Sequence, residues 1–168
     1  NYTVTLIGTS AGGCSDTATQ NIQIFQNPVA NAGADRTTCL GTSVTLTAGG
    51  GNNYVWTPGG NGQSITVNPL GTTNYIVNVT NPNGCSASDT VTVIVNPVPT
   101  INAGNNQSIC RGGSVTLTAT GGNTYSWTPG NMNGASITVS PNATTNYTVV
   151  GTNIYGCTSS DIVSVGVN

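Results

Sequence analysis

The sequence predicts an all-β protein: tandem antiparallel β-sandwich repeats of about 70 residues each. Three observations predict it. Apolar residues alternate with period two in short runs rich in Val and Thr, the signature of half-buried strands. Turn sequences such as Gly49-Gly50-Gly51, Pro58-Gly59-Gly60 and Asn81-Pro82-Asn83-Gly84 punctuate these runs closely, and no segment has helical periodicity. The sequence also repeats itself. Trp56 to Trp127 and Cys39 to Cys110 are offsets of 71, and Tyr75 to Tyr147 and Cys85 to Cys157 are offsets of 72.

The copies set the expected domains. Residues 1–26 align with the last third of a copy and supply one hairpin, since Asn1-Tyr2-Thr3-Val4 matches Asn74-Tyr75-Ile76-Val77. Residues 27–96 and 97–168 form two full immunoglobulin-like repeats. The expectation is a window cut from a longer array, because a lone hairpin is marginal in water. The alternative is an amino-terminal hairpin that docks on a neighbour.

Each full copy should contain six or seven strands. In the first, 29–34 opens the domain, and 42–48 carries the apolar face Val44, Leu46, Ala48. Next come 53–57 with Tyr54 and Trp56 on one face, 63–68, and 73–80 with Tyr75, Val77 and Val79 inward. The last is 88–95, with Val91, Val93 and Val95 inward. The second copy repeats the plan at 98–103, 113–119, 124–128, 135–140, 145–152 and 161–167. This many short strands in so few residues make a small two-sheet sandwich. Trp on the third strand and Tyr early in the penultimate one fit an immunoglobulin-like plan. Proline-stiffened junctions, Asn27-Pro28 and Asn96-Pro97-Val98-Pro99, predict a semi-rigid, elongated array in which each domain meets its neighbours.

Composition bounds the function. Lys, His and Glu are absent, and charged residues are 4% of the chain against about 25% in ordinary soluble domains. Two arginines cannot track a phosphate backbone, so nucleic acid is an improbable partner. No apolar run has the length of a membrane span. The usual general acids and bases are missing, which argues against an enzyme, and no cofactor is implied. Polarity comes from Thr, Asn, Ser, Gly and Gln, so little electrostatic repulsion keeps copies apart. Hydroxyls and amides, attached glycans, or regular assembly into a fibre must keep such a chain from aggregating.

Five cysteines follow the repeat, without His or a Cys-x-x-Cys pair, so a metal site is not expected. The reading is one intradomain disulfide per full copy, Cys39–Cys85 and Cys110–Cys157, stapling one end of each sandwich, with Cys14 unpaired.

The ordered string T-x-C-x-G-x-S-V-T-L-T-A, Y-x-W-T-P-G, S-I-T-V-x-P, T-T-x-Y-x-V, G-C and D-T-V-x-V runs through the chain. It resembles the Ig-like, PKD-like repeats of giant cell-surface adhesins in Bacteroidota, commonly cargo of type IX secretion. The resemblance implies export to the cell surface or beyond, and a stalk-like or adhesive role. It also gives meaning to Asp16-Thr17-Ala18 and Asp89-Thr90-Val91, which fit the O-glycan acceptor pattern of that group, so Thr17 and Thr90 are candidate attachment sites. Asp161-Ile162-Val163 lacks the hydroxyl. Lysine-based isopeptide bonds cannot form without Lys.

Two functions remain open. One is the structural stalk or filament of a secreted adhesin, with neighbouring repeats as partners and self-association into a fibre. The other is a multivalent polysaccharide-binding module; Tyr54, Trp56, Tyr125 and Trp127 are expected as core aromatics, and in this alternative they would instead be stacking platforms. Asp16, Asp89 and Asp161 occupy one equivalent position, where capping a local turn fits better than a calcium site needing several carboxylates.

Overall fold

The computed structural model describes residues 1–168 and is all β, with sixteen strands and no helix. Strands β1 (Tyr2–Thr9) and β2 (Ser15–Ile22) form an antiparallel hairpin. The first copy contributes β3 (Arg36–Cys39), β4 (Val44–Thr47), β5 (Asn53–Thr57), β6 (Gly60–Asn61), β7 (Ser64–Val67), β8 (Thr73–Thr80) and β9 (Ser86–Asn96). The second repeats these as β10 (Gln107–Ile109), β11 (Val115–Thr118), β12 (Thr124–Thr128), β13 (Met132–Asn133), β14 (Ser136–Val139), β15 (Thr145–Thr152) and β16 (Thr158–Val167).

Each copy holds a five-stranded and a two-stranded sheet. The orders are β3-β9-β8-β5-β6 with β4-β7, and β10-β16-β15-β12-β13 with β11-β14. The opening segment makes one isolated antiparallel bridge, Asn31 to Gly49 or Asn102 to Thr120, just past the end of β4 or β11. A strand after the opening segment pairs parallel with the last strand, and the third and penultimate strands pair antiparallel. That order, with Trp on the third strand of an otherwise antiparallel pair of sheets, is the immunoglobulin-like sandwich. The chain divides into two compact units. One is Asn1–Ala34, Thr45–Val67 and Asn74–Thr92; the other is Asp35–Val44, Asn68–Thr73 and Val93–Asn168.

Alternation decides which residues enter the core. In the second copy Leu117, Trp127, Tyr147, Val149, Val163 and Val165 are buried together, with Ile101 and Ala103 from the opening segment. Leu46, Trp56, Tyr75, Val77, Val79, Val91 and Val93 are buried in the first. The outward faces of the small sheets carry hydroxyl pairs across the strands. Thr45 faces Thr66 at 3.2 Å and Thr47 faces Ser64 at 2.9 Å, matched by Thr116–Thr138 and Thr118–Ser136. Cross-strand hydroxyl bonds therefore replace the ion pairs of an ordinary sheet surface.

Two differences from the expected strands matter for the site. The stretch 29–34 is not a strand but a lead-in with a single bridge residue. The parallel strand instead falls on Arg36–Cys39, a polar run with no alternation to reveal it.

Candidate functional site: the cysteine junction

The parallel strand determines where each cysteine lies. Cys39 is the last residue of β3 and stands opposite Asn96, the last residue of β9. Cys85 immediately precedes Ser86, the first residue of that same β9. Eleven residues of extended strand separate the two ends, roughly 36 Å. A disulfide needs Cα atoms within about 7 Å, so Cys39–Cys85 cannot form in this fold. Ile109, beside Cys110, pairs with Val167, whereas Cys157 precedes β16, so Cys110–Cys157 is excluded in the same way.

The bond that forms is Cys39–Cys157, with Cα atoms 5.7 Å apart and a sequence separation of 118. It corrects the expected intradomain pairing: the disulfide joins the first cysteine of one copy to the second cysteine of the next. Both lie in the second compact unit. Cys14, Cys85 and Cys110 are free thiols; Cys14 and Cys110 are exposed, and Cys85 is half-buried. Closing so long a loop is worth about 5 kcal/mol if chain entropy alone counts.

A turn built on asparagine presents the second cysteine. Asn153 Oδ1 accepts the N–H of Tyr155 and of Cys157, both at 3.0 Å. Its Nδ2 donates to the Pro97 carbonyl at 2.7 Å, and its own N–H donates to the Cys157 carbonyl. Asn81 repeats the arrangement with Asn83, Cys85 and the Gln26 carbonyl. One side chain thus ties the cysteine turn to the segment entering the same copy. Asn-x-x-Gly-Cys reads only as a turn in sequence; the reach to Pro97 is tertiary.

The aspartates also act over long range. Asp89 Oδ2 accepts the Ala32 N–H at 2.8 Å while Oδ1 accepts Thr90 N–H, and Asp161 does the same for Ala103. Cap-like bonding is present, but its main partner is 57 or 58 residues away, on the opening segment. These N–H donors hold both carboxyls below the ordinary aspartate range, the bond from Ala32 or Ala103 contributing most. Asp16 bonds only the adjacent Thr17 N–H. No group of three or more His, Cys, Asp or Glu side chains converges.

The aromatic pairs divide by depth. Trp56 and Trp127 are 2% and 0% exposed, and their indole N–H groups donate to the Gly62 and Gly134 carbonyls. Neither indole face is available to a sugar, which removes the tryptophans from the platform reading. Tyr54 and Tyr125 are half-buried, and their hydroxyls donate to the Gly51 and Gly122 carbonyls. An open groove of about 450 Å³ beside Tyr125 is lined by apolar Val150 and Ala135 as well as by the amides and hydroxyls of Asn123, Ser126, Asn133 and Thr152. Thr17 and Thr90 are exposed on β2 and β9, while Val91 and Val163 point into the core. Ile162, at the position of Thr90, is outward and exposed.

No known family profile matches the chain, and no curated protein matches it. Solved structures with similar folds include three titin immunoglobulin domains, I67–I69, in a mutated variant, at 14% identity, 99% of this chain, 74% of that chain and a TM-score of 0.48. The insect immune protein hemolin matches at 15% identity, over 99% of this chain and 56% of hemolin, with a TM-score of 0.46. A calcium-stabilised, ice-binding adhesin of an Antarctic bacterium matches at 13% identity, over 99% of this chain and 57% of the adhesin, with a TM-score of 0.42. The fold assignment itself rests on the strand order.

Proposed function

We propose that this chain is a stalk segment of an extracellular adhesin or fibre, of the Bacteroidota surface type that its sequence resembles. It would extend and present other domains rather than perform chemistry. The observation that carries the reading is the Cys39–Cys157 bond. Such a bond persists in an oxidising compartment, and it ties successive copies covalently, which is useful where a chain is pulled. Repeated 5-plus-2 sandwiches whose outer faces are bonded by hydroxyls suit a surface indifferent to salt and pH. Exposed Thr17 and Thr90 are proposed as O-glycan positions that would add hydration. The polysaccharide reading loses its tryptophans and keeps only the open groove beside Tyr125.

Immunogold labelling of the native organism, with and without surface proteolysis, tests the role. Label on projections outside the cell, removed by protease, is the expected result. Label confined to the cytosol would overturn the reading. Intact-mass analysis of the same material should find glycan on peptides containing Thr17 and Thr90 and none on that containing Ile162.

A further inference from the structure

The two free cysteines of the full copies stand in the same backbone frames as the two bonded ones. Thr42 N–H donates to the Cys39 carbonyl at 3.0 Å, and Gly113 N–H donates to the Cys110 carbonyl at 2.9 Å. Leu40 N–H donates to Asn96 as Arg111 N–H does to Asn168. At the other end, Cys85 and Cys157 both donate their N–H to the asparagine Oδ1 of their turn at 3.0 Å. Exposed Cys110 is therefore Cys39 without its partner, and Cys85 is Cys157 without its partner. Each copy has one cysteine at the finish of its last strand and one at that strand's start. The two are too far apart to join each other and are complementary to a neighbour's.

We infer that Cys110 and Cys85 are open half-sites of a staggered disulfide ladder, in which the first cysteine of every repeat bonds the second cysteine of the next. Cys110 takes a Cys157-type thiol, and Cys85 takes a Cys39-type thiol, from further repeats of this kind. Pairing of unlike ends leaves one unpaired half-site of each kind after every link, so the ladder can propagate from repeat to repeat. The loop closed by Cys39–Cys157 and the loop beginning at Cys110 share residues 110–157, so successive loops overlap rather than follow one another. Each link forms by exchange with a small disulfide such as oxidised glutathione. One cysteine thiolate attacks it and releases a glutathione thiolate. The second cysteine thiolate attacks the mixed disulfide and releases the other, so the two electrons and two protons lost by the cysteines appear on two glutathione thiols.

This deepens the stalk reading but can fail separately from it. The purified 168-residue chain is oxidised with glutathione disulfide and mapped without reduction. The expected product has Cys39 joined to Cys157 and one glutathione each on Cys14, Cys85 and Cys110. A bond between Cys39 and Cys85, between Cys110 and Cys157, or between Cys85 and Cys110 of a product with single-chain mass overturns the ladder wherever the protein resides. In material from the native organism, Cys110 should be joined to a peptide of the Asn-x-x-Gly-Cys type, and Cys85 to one of the Thr/Ser-x-Cys-x-Gly type. A single-chain mass on a non-reducing gel places the partner in the same polypeptide, and a reducible series of multiples places it in a second copy. Free thiols at both positions in surface-located native protein overturn the ladder and leave the stalk standing.

Discussion

At the scale of residues, three positions show what holds a sandwich together. Trp127 fills the second core, with its N–H satisfied by Gly134. Trp127→Ala should cost about 3–5 kcal/mol, read from the shift of the urea midpoint. Gly121 has φ +93, and a Cβ there would overlap the Thr100 carbonyl oxygen. Both backbone strain and collision oppose a side chain, so Gly121→Ala should cost about 2 kcal/mol or more in the same measurement. Asp161 has a carboxyl more acidic in the folded state than in the unfolded chain. Its contribution is therefore complete above the ordinary aspartate pKa of about 4 and is lost as pH falls through the lower folded value. Urea midpoints measured from pH 7 to pH 2 should fall below about pH 4, and less steeply in Asp161→Asn, which keeps an acceptor oxygen but cannot protonate.

At the scale of elements, the polar turn before the last strand organises more than its length suggests. Asn153 bonds two N–H groups inside the turn and one carbonyl on the entering segment. Asn153→Ala should destabilise the chain by about 1–3 kcal/mol and slow formation of Cys39–Cys157, followed by alkylation of the remaining Cys157 thiol. The same change at Asn81 should leave that bond's rate unchanged, because Asn81 holds Cys85, which lies outside it. The short parallel strands matter for a different reason. β3 and β10 are four and three residues long, yet they carry the chain to the far end of the last strand and so decide which cysteines can meet.

At the scale of the whole molecule, the disulfide changes what tension can reach. With Cys39 joined to Cys157, 118 apart in sequence, force applied at the two ends bypasses the stretch between them. Pulling single molecules before and after adding a thiol reductant should show about 40 nm of additional contour length only after reduction. Equal contour in both conditions would mean that the bond does not form in solution.

Much of this protein was legible in its sequence because its causes are local. Alternation placed Trp56, Val77 and Val93 inward, and turn residues bounded 53–57 and 73–80 at the residues where β5 and β8 begin and end. Repetition predicted that whatever one copy does, the other does. The disulfide connectivity was not legible. Equivalent positions are satisfied equally by pairing within copies or between them, and spacing cannot choose. The choice belongs to Arg36–Cys39, whose polar residues show no strand pattern because the strand lies at a sheet edge. Only its parallel pairing with β9 separates Cys39 from Cys85 by a strand's length and leaves Cys157 within bonding distance. Likewise Asp89 announced a cap, but its partner on Ala32 depends on how the opening segment returns across the sheet. Sequence determined the strands and the core because side-chain periodicity is a property of neighbours along the chain. The tertiary structure alone decided which ends meet, because that is a property of direction in space.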